Sequence, residues 1–222
     1  MNEINKLIDK EILMEISGKT YLTGILIDIG LDLSVIYNGQ QFLYIPMMHM
    51  HTIKMNPEPE ISGETPLETP IQKSTDASLS YRKILNNAKG RFLEIFVTGN
   101  RSIHGYITNV LNDYISFYSP VYKTVLISMQ HLKWFTPYSS QLTPYTLDNE
   151  SLPVVPSTIP LARSFDEQLQ KYQGQLVVFD LGDHPDKVGL LKNINNHIIE
   201  LINAKGESIF WKQYHLKTVH LP

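Results

Sequence analysis

The 222-residue sequence contains no cysteine. That absence removes disulfide staples, thiolate zinc sites, thiol nucleophiles and iron–sulfur clusters together. No apolar run approaches the roughly 20 residues needed to span a bilayer. The N-terminal stretch, with Glu3, Lys6, Asp9 and Lys10, is amphipathic and charged where a secretory signal would be continuously apolar. A chain of this kind is expected to be made and kept on the cytoplasmic side. A charge excess is lacking as well: 19 Lys and Arg stand against 22 Asp and Glu. The net charge of -3 and a pI near 6.2 supply no concentrated positive surface for phosphate backbones, which argues against nucleic acid as a partner. Glycine-rich phosphate loops of the G-x-G-x-x-G or Walker type are missing. The turn carboxylates Asp28, Asp32, Asp113, Asp183 and Asp186 never pair at a repeated spacing suited to acid–base work, and they read as turn formers. These absences predict a protein with no catalytic residues, no cofactor and no metal.

What is present is enough apolar material for real cores, 42% against 18% charged residues. It is arranged as an internal repeat. Three segments align without gaps around Gly24, Gly105 and Gly189, at periods of 81 and 84 residues. Upstream of each glycine stand alternating apolar residues: Ile12, Met14 and Ile16; Leu93, Ile95 and Val97; Val177, Phe179 and Leu181. A spacing of two places such side chains on one face of an extended strand. A second strand begins at the glycine and ends in a turn built from Gly30, Leu31 and Asp32, from Asn112 and Asp113, or from Asn195 and Asn196. A third strand carries Ile36, Phe117 and Leu201, and a fourth ends at Ile45, Ile127 and Trp211.

Each copy closes on a histidine motif, His49-Met50-His51, His131-Leu132-Lys133 and His215-Leu216-Lys217, placed 25, 26 and 26 residues after its glycine. The glycines, standing inside strand patterns, are expected to mark bends or close backbone approaches. The histidines are expected to lock the last turn of each copy by hydrogen bonds. His49 and His51 share a strand face and could reach one metal, but Lys133 and Lys217 replace His51 in the other copies, so a ligand role is not expected. Trp134, Phe135 and Trp211 are expected to fill thin cores.

Short helical patterns precede the first strands. The expected fold is therefore mainly β: three tandem small antiparallel barrels of the SH3-like or Sm-like kind, each led by a short helix. The boundaries read as 2–56 for the first barrel, 57–78 for a Pro-rich acidic linker, 79–137 for the second barrel, 138–163 for a second Pro-rich linker and 164–222 for the third barrel. Proline pre-extends these linkers. Leu152, Val154, Val155 and Ile159 point to packing of the second one against a neighbour.

The recurring glycine, turn, strand and closing signature of His131-Leu132-Lys133 and His215-Leu216-Lys217 resembles the N-terminal repeat region of spore coat protein B of Bacillus species. The resemblance spans most of the chain and implies a structural protein of the coat or exosporium, made in the mother-cell cytoplasm and deposited on the spore surface. Its implied partners are other coat or exosporium proteins. The family's long Ser/Lys/Arg-rich tail has no counterpart before Pro222, and any role of such a tail is not expected here. The alternative reading of the barrels is a regulatory module that binds RNA or a peptide.

Overall fold

Burial follows the apolar alternation in the first strand of each repeat, where one face turns to a core. The computed structural model describes residues 3–61, 69–71, 79–98, 101–139, 144–146 and 160–222. The first repeat opens with a 3-10 turn, Glu3–Leu7, and continues as β1 (Glu11–Ile16), β2 (Thr20–Ile29), β3 (Leu33–Tyr37), β4 (Phe42–Pro46), a 3-10 turn at Met47–His49 and β5 (Met50–Met55). The second begins with helix α1 (Tyr81–Asn87), followed by β6 (Phe92–Thr98), β7 (Arg101–Val110), β8 (Tyr114–Ser119), β9 (Lys123–Ser128), a 3-10 turn at Met129–His131 and β10 (Trp134–Pro137). The third comprises helix α2 (Phe165–Gln170), β11 (Leu176–Phe179), 3-10 turns at Asp180–Gly182 and Pro185–Lys187, β12 (Val188–Asn195), β13 (Ile198–Ile202), β14 (Ser208–Lys212), a 3-10 turn at Gln213–His215 and β15 (Thr218–His220). Residues Leu152, Val154, Val155 and Ile159 and most of the two linkers lie outside the described residues.

The protein is mainly β, and its strand pairs are antiparallel. In the first repeat β1 lies between β2 and β5, while β3 bridges β2 and β4. The third repeat has the same order, with β11 between β12 and β15 and β13 between β12 and β14. The registers also repeat. Ile12 stands opposite Gly24, and Val177 opposite Gly189. The second long strand of every repeat carries a bulge at one place, between Leu26 and Asp28, Ile107 and Asn109, and Leu191 and Asn193. An extra residue there bends the strand and increases its twist.

The glycines sit just before that bend. A Cβ on Gly24 would stand 2.7 Å from the Tyr37 carbonyl oxygen, and on Gly105 or Gly189 it would press closer still on the carbonyls of Tyr118 and Ile202. Each of those carbonyls lies thirteen residues after its glycine, on the third strand of the same repeat. A side chain is excluded by backbone, which cannot rotate away.

Of the nine alternating residues, eight are buried to within 2% exposure. Leu181 departs from the pattern. Asp180 and Leu181 take φ values of 48° and 58°, so β11 ends at Phe179 and the chain turns into a 3-10 loop.

The expectation of three separate barrels is corrected by the pairing of strands from different repeats. The fifth strand of the second repeat, β10, pairs with the fourth strand of the first, β4, through Phe135 and Tyr44. The fifth strand of the third, β15, pairs with the fourth strand of the second, β9, through Thr218–Ile127, Val219–Leu126 and His220–Val125. The physical reason is that five strands in this order end in two open edges, and the edge of one repeat satisfies its backbone groups on the edge of the next.

The chain divides into two compact units, one of Met1–Ser102 with Lys133–Leu142, the other of Ile103–Leu132 with Thr143–Pro222. The first unit holds the order β6-β10-β4-β3-β2-β1-β5, and the second holds β14-β13-β12-β11-β15-β9-β8-β7. The middle repeat is thus apportioned: β6 and β10 fold with the first repeat, and nearly all of β7, with β8 and β9, folds with the third. The cores show the same sharing. Trp134 and Phe96, stacked at 4.1 Å, join Ile12, Met14, Leu26 and Ile45 in the first unit. Tyr114 and Leu126 join Val177, Phe179, Leu201 and Val219 in the second.

Candidate interaction edges

A junction between repeats is built from three contacts, and all three occur twice. The first is the strand pair just described. Its central residues are fully buried: Tyr44 stacks on Phe135 at 5.1 Å in one junction, and Leu126 faces Val219 in the other. The second contact is a carboxylate from the turn before the third strand. Asp32 Oδ1 accepts the backbone N–H of Tyr81 at 2.9 Å, and Asp113 Oδ1 accepts that of Phe165 at 2.8 Å. Each thereby satisfies a donor in the first turn of the following helix, which has no partner within the helix itself. The third contact is a tyrosine that holds the incoming linker. The Tyr44 hydroxyl donates to the Ile71 carbonyl at 3.4 Å and accepts the Ile71 N–H at 3.1 Å, and the Tyr114 hydroxyl donates to the Ala162 carbonyl at 2.7 Å. Burial pushes both phenol pKa values up, so neither hydroxyl ionises at neutral pH.

The first linker is also anchored to β1. Glu11, only 8% exposed, accepts Asn56 Nδ2 at 2.6 Å and the N–H groups of Glu60 and Ile61 at 3.0 and 2.9 Å. Burial raises its pKa, but the bonds from Ile61, Asn56 and Glu60 outweigh that and hold it below the ordinary carboxylate value.

At the two ends of the strand orders the same kinds of strand are open. Among the described residues no strand pairs with the outer edge of β5, the fifth strand of the first repeat, or of β14, the fourth strand of the third. Burial responds accordingly. All five residues of β4 and all of β10 and β15 are buried, whereas β5 has no buried residue and β14 alternates between exposed and half-buried. Phe210 is 65% exposed and Met55 56%, values that stand out beside the 0% of Tyr44 and Leu126 on covered edges.

The glycines and histidines singled out in the sequence fall away from these edges. Gly24, Gly105 and Gly189 shape the backbone inside each repeat. The three histidines differ from one another. His49 is buried, with Nδ1 2.9 Å from the Ser17 hydroxyl. His131 Nε2 lies 2.8 Å from the Tyr214 carbonyl of the following repeat and 3.4 Å from Gln130 Nε2 in its own turn. His215 is exposed and makes no hydrogen bond of this kind among the described residues. His51 is exposed on β5, apart from any cluster of three or more metal-binding side chains among the described residues.

One polar cluster escaped the sequence reading. Asp180, fully buried, accepts Lys187 Nζ at 2.6 Å and the N–H groups of Lys217 and Thr218 at 2.7 and 3.0 Å. It ties the loop after β11 to the start of β15. No signal of it stood in the sequence, because the apolar alternation runs on through Leu181.

No helix among the described residues is long and apolar enough to cross a membrane. Comparison with known proteins adds two findings. A family model described as the YwrJ third domain matches residues 164–219. Over 226 aligned residues, covering all of both chains, the sequence is 54% identical to the uncharacterized protein YwrJ of Bacillus subtilis (strain 168).

Proposed function

The chain belongs to the YwrJ family, and we propose that it is a non-catalytic structural or adaptor protein of the bacterial spore surface, in coat or exosporium. It holds other proteins of those layers through its repeated β modules. It is made in the mother-cell cytoplasm and deposited on the forespore.

The observation that supports this reading is the repeated junction. The features the three repeats share are glycine bends, bulges and strand edges, while their polar residues diverge. The Asp180 and Lys187 pair aligns with Glu15 and Leu22 in the first repeat and with Phe96 and Ile103 in the second, and the closing histidines have different partners. An enzyme would concentrate a polar set in one place. This chain instead spreads apolar contact surface along strand edges, the arrangement suited to strand-addition recognition of protein partners. The spore setting comes from the likeness of the repeats to spore coat protein B and agrees with a relative in Bacillus subtilis.

The test is a fluorescent fusion expressed during sporulation. It collects as a shell on the forespore surface if the reading holds. A fusion that stays diffuse in the mother cell throughout sporulation overturns it.

A further inference from the structure

We propose that the two outer edges are the two halves of one further junction, and that they take each other between molecules, β14 of one chain pairing antiparallel with β5 of a second copy. The inference goes beyond the spore-layer role and is tested apart from it.

The chain itself shows what each edge accepts. A fourth strand pairs with the fifth strand of the next repeat at β4–β10 and again at β9–β15. Among the described residues the strands left over are one fourth strand and one fifth strand, an open donor edge and the matching open acceptor edge. Neither contains proline, which would blunt an edge, and each has one lysine.

The register follows from the repeat. Tyr44, Leu126 and Phe210 occupy the same place on their fourth strands, one residue before Ile45, Ile127 and Trp211. Phe135, Val219 and Ile53 occupy the same place on their fifth strands, four residues after His131, His215 and His49. The inner pairings agree, since Met14, Ile95 and Phe179 face Ile53, Phe135 and Val219 respectively. Phe135 faces Tyr44 and Val219 faces Leu126, so Phe210 faces Ile53 of the second copy. Exposure supports the match. Phe210, at 65% exposed, is the residue whose counterparts are buried to 0% once their edge is covered.

One element of the internal junctions is missing. His197 stands where Asp32 and Asp113 accept the helix N–H, and its ring lies against Tyr214 at 4.9 Å. The contact between copies also lacks the linker that keeps the internal edges at high local concentration. It is therefore weaker than the internal junctions and reversible. Because the two edges differ, the contact is heterologous: each added copy presents a fresh edge, and association continues until a ring closes or a filament grows.

The purified full chain tests this. Sedimentation velocity should show mass rising with concentration in steps of one chain, and Phe210→Lys, a change at an exposed site, should hold the protein at the mass of one chain. The register is read by oxidation, since the protein has no cysteine of its own. Ile53→Cys protein mixed with Phe210→Cys protein should form a disulfide-linked dimer, because directly opposed residues bring their Cβ atoms within reach of a disulfide. Tyr21→Cys, exposed on β2, should give no such product with Phe210→Cys. A chain of constant mass at every concentration overturns the proposal. So does association that Phe210→Lys leaves unchanged, or a mixture whose cross-linking is no better than the Tyr21→Cys control. A fusion that misses the forespore while the purified protein self-associates would overturn the spore reading and leave this one standing.

Discussion

Asp113 accepts the backbone N–H of Phe165 at 2.8 Å across 52 residues of sequence, repeating the bond of Asp32 to Tyr81 at 2.9 Å. In each case a turn carboxylate of one repeat sets the helix of the next. The main chain of the same aspartates is engaged too, with Met47 donating to the Asp32 carbonyl and Met129 to that of Asp113. Asp113→Ala should lower stability by about 1–2 kcal/mol, through loss of a charge-assisted bond to a helix N-terminus. Asp32→Ala should do likewise. Chemical denaturation of each variant against the parent measures the effect, and a change at both sites should be additive because no partner is shared.

Gly105→Val should destabilise by more than about 2 kcal/mol, since the added Cβ meets the Tyr118 carbonyl carbon and oxygen, with the Phe117 ring close behind. Gly189→Ala tests the same clash in the third repeat against Ile202. Thermal melts should show lowered midpoints for both. Equal midpoints would mean the strands part at no cost, contrary to the steric account.

Asp180→Asn should cost about 3 kcal/mol, because it leaves the Lys187 ammonium, with a side chain 13% exposed, to the more exposed Asp183 carboxylate at 3.1 Å. Burial alone would push the Lys187 pKa down, yet the bonds and charges of Asp180 and Asp183 raise it overall. Adding Lys187→Met should recover part of the loss by removing a charge that has lost its buried partner. Urea denaturation of the single and double variants reads both changes.

Acid should weaken the second unit before the carboxylates titrate. Burial lowers the His131 pKa, with Lys217 and His215 adding to the shift and the Tyr214 carbonyl and Asp180 opposing it. Burial also lowers that of His220, whose buried Nδ1 has no hydrogen-bond partner among the described residues. A depressed folded value means the unfolded chain binds the proton more readily. The stability these rings contribute is complete above the ordinary imidazole value of 6.5 and is lost as pH falls from there through their folded values. Melts between about pH 7.5 and about pH 5.5 should show this loss, and His131→Gln with His220→Gln should flatten it.

The repeat was legible because its causes are local. A glycine pressed against backbone tolerates no substitute, and a strand buried on one face must alternate, so Gly24, Gly105 and Gly189 and the residues around them mark the same fold three times. Short helical turns ahead of the first strands were readable as well. The junctions were not. Tyr44 and Leu126 are apolar residues on fourth strands whether they face their own repeat or the next, and strand pairing across 91 or 93 residues leaves no periodicity behind. Asp32 and Asp113 recur eight residues after their glycines, but turns favour aspartate anyway, and the bond to the next helix was hidden behind that preference. Leu181 misled because spacing alone reports nothing about the left-handed backbone at Asp180 and Leu181.

The apportioning of the middle repeat bears on how such a chain can lengthen. Duplication copies a stretch from helix to fifth strand as one length of gene, yet that length folds by lending β6 and β10 upstream and β7, β8 and β9 downstream. A newly inserted whole copy would find an open fourth strand before it and an open fifth strand after it, and every existing core would keep its full set of donors. Excising half a copy would leave one neighbour's core without a wall. Growth by whole repeats therefore needs no redesign, and the number of repeats is free to vary while the joints stay the same.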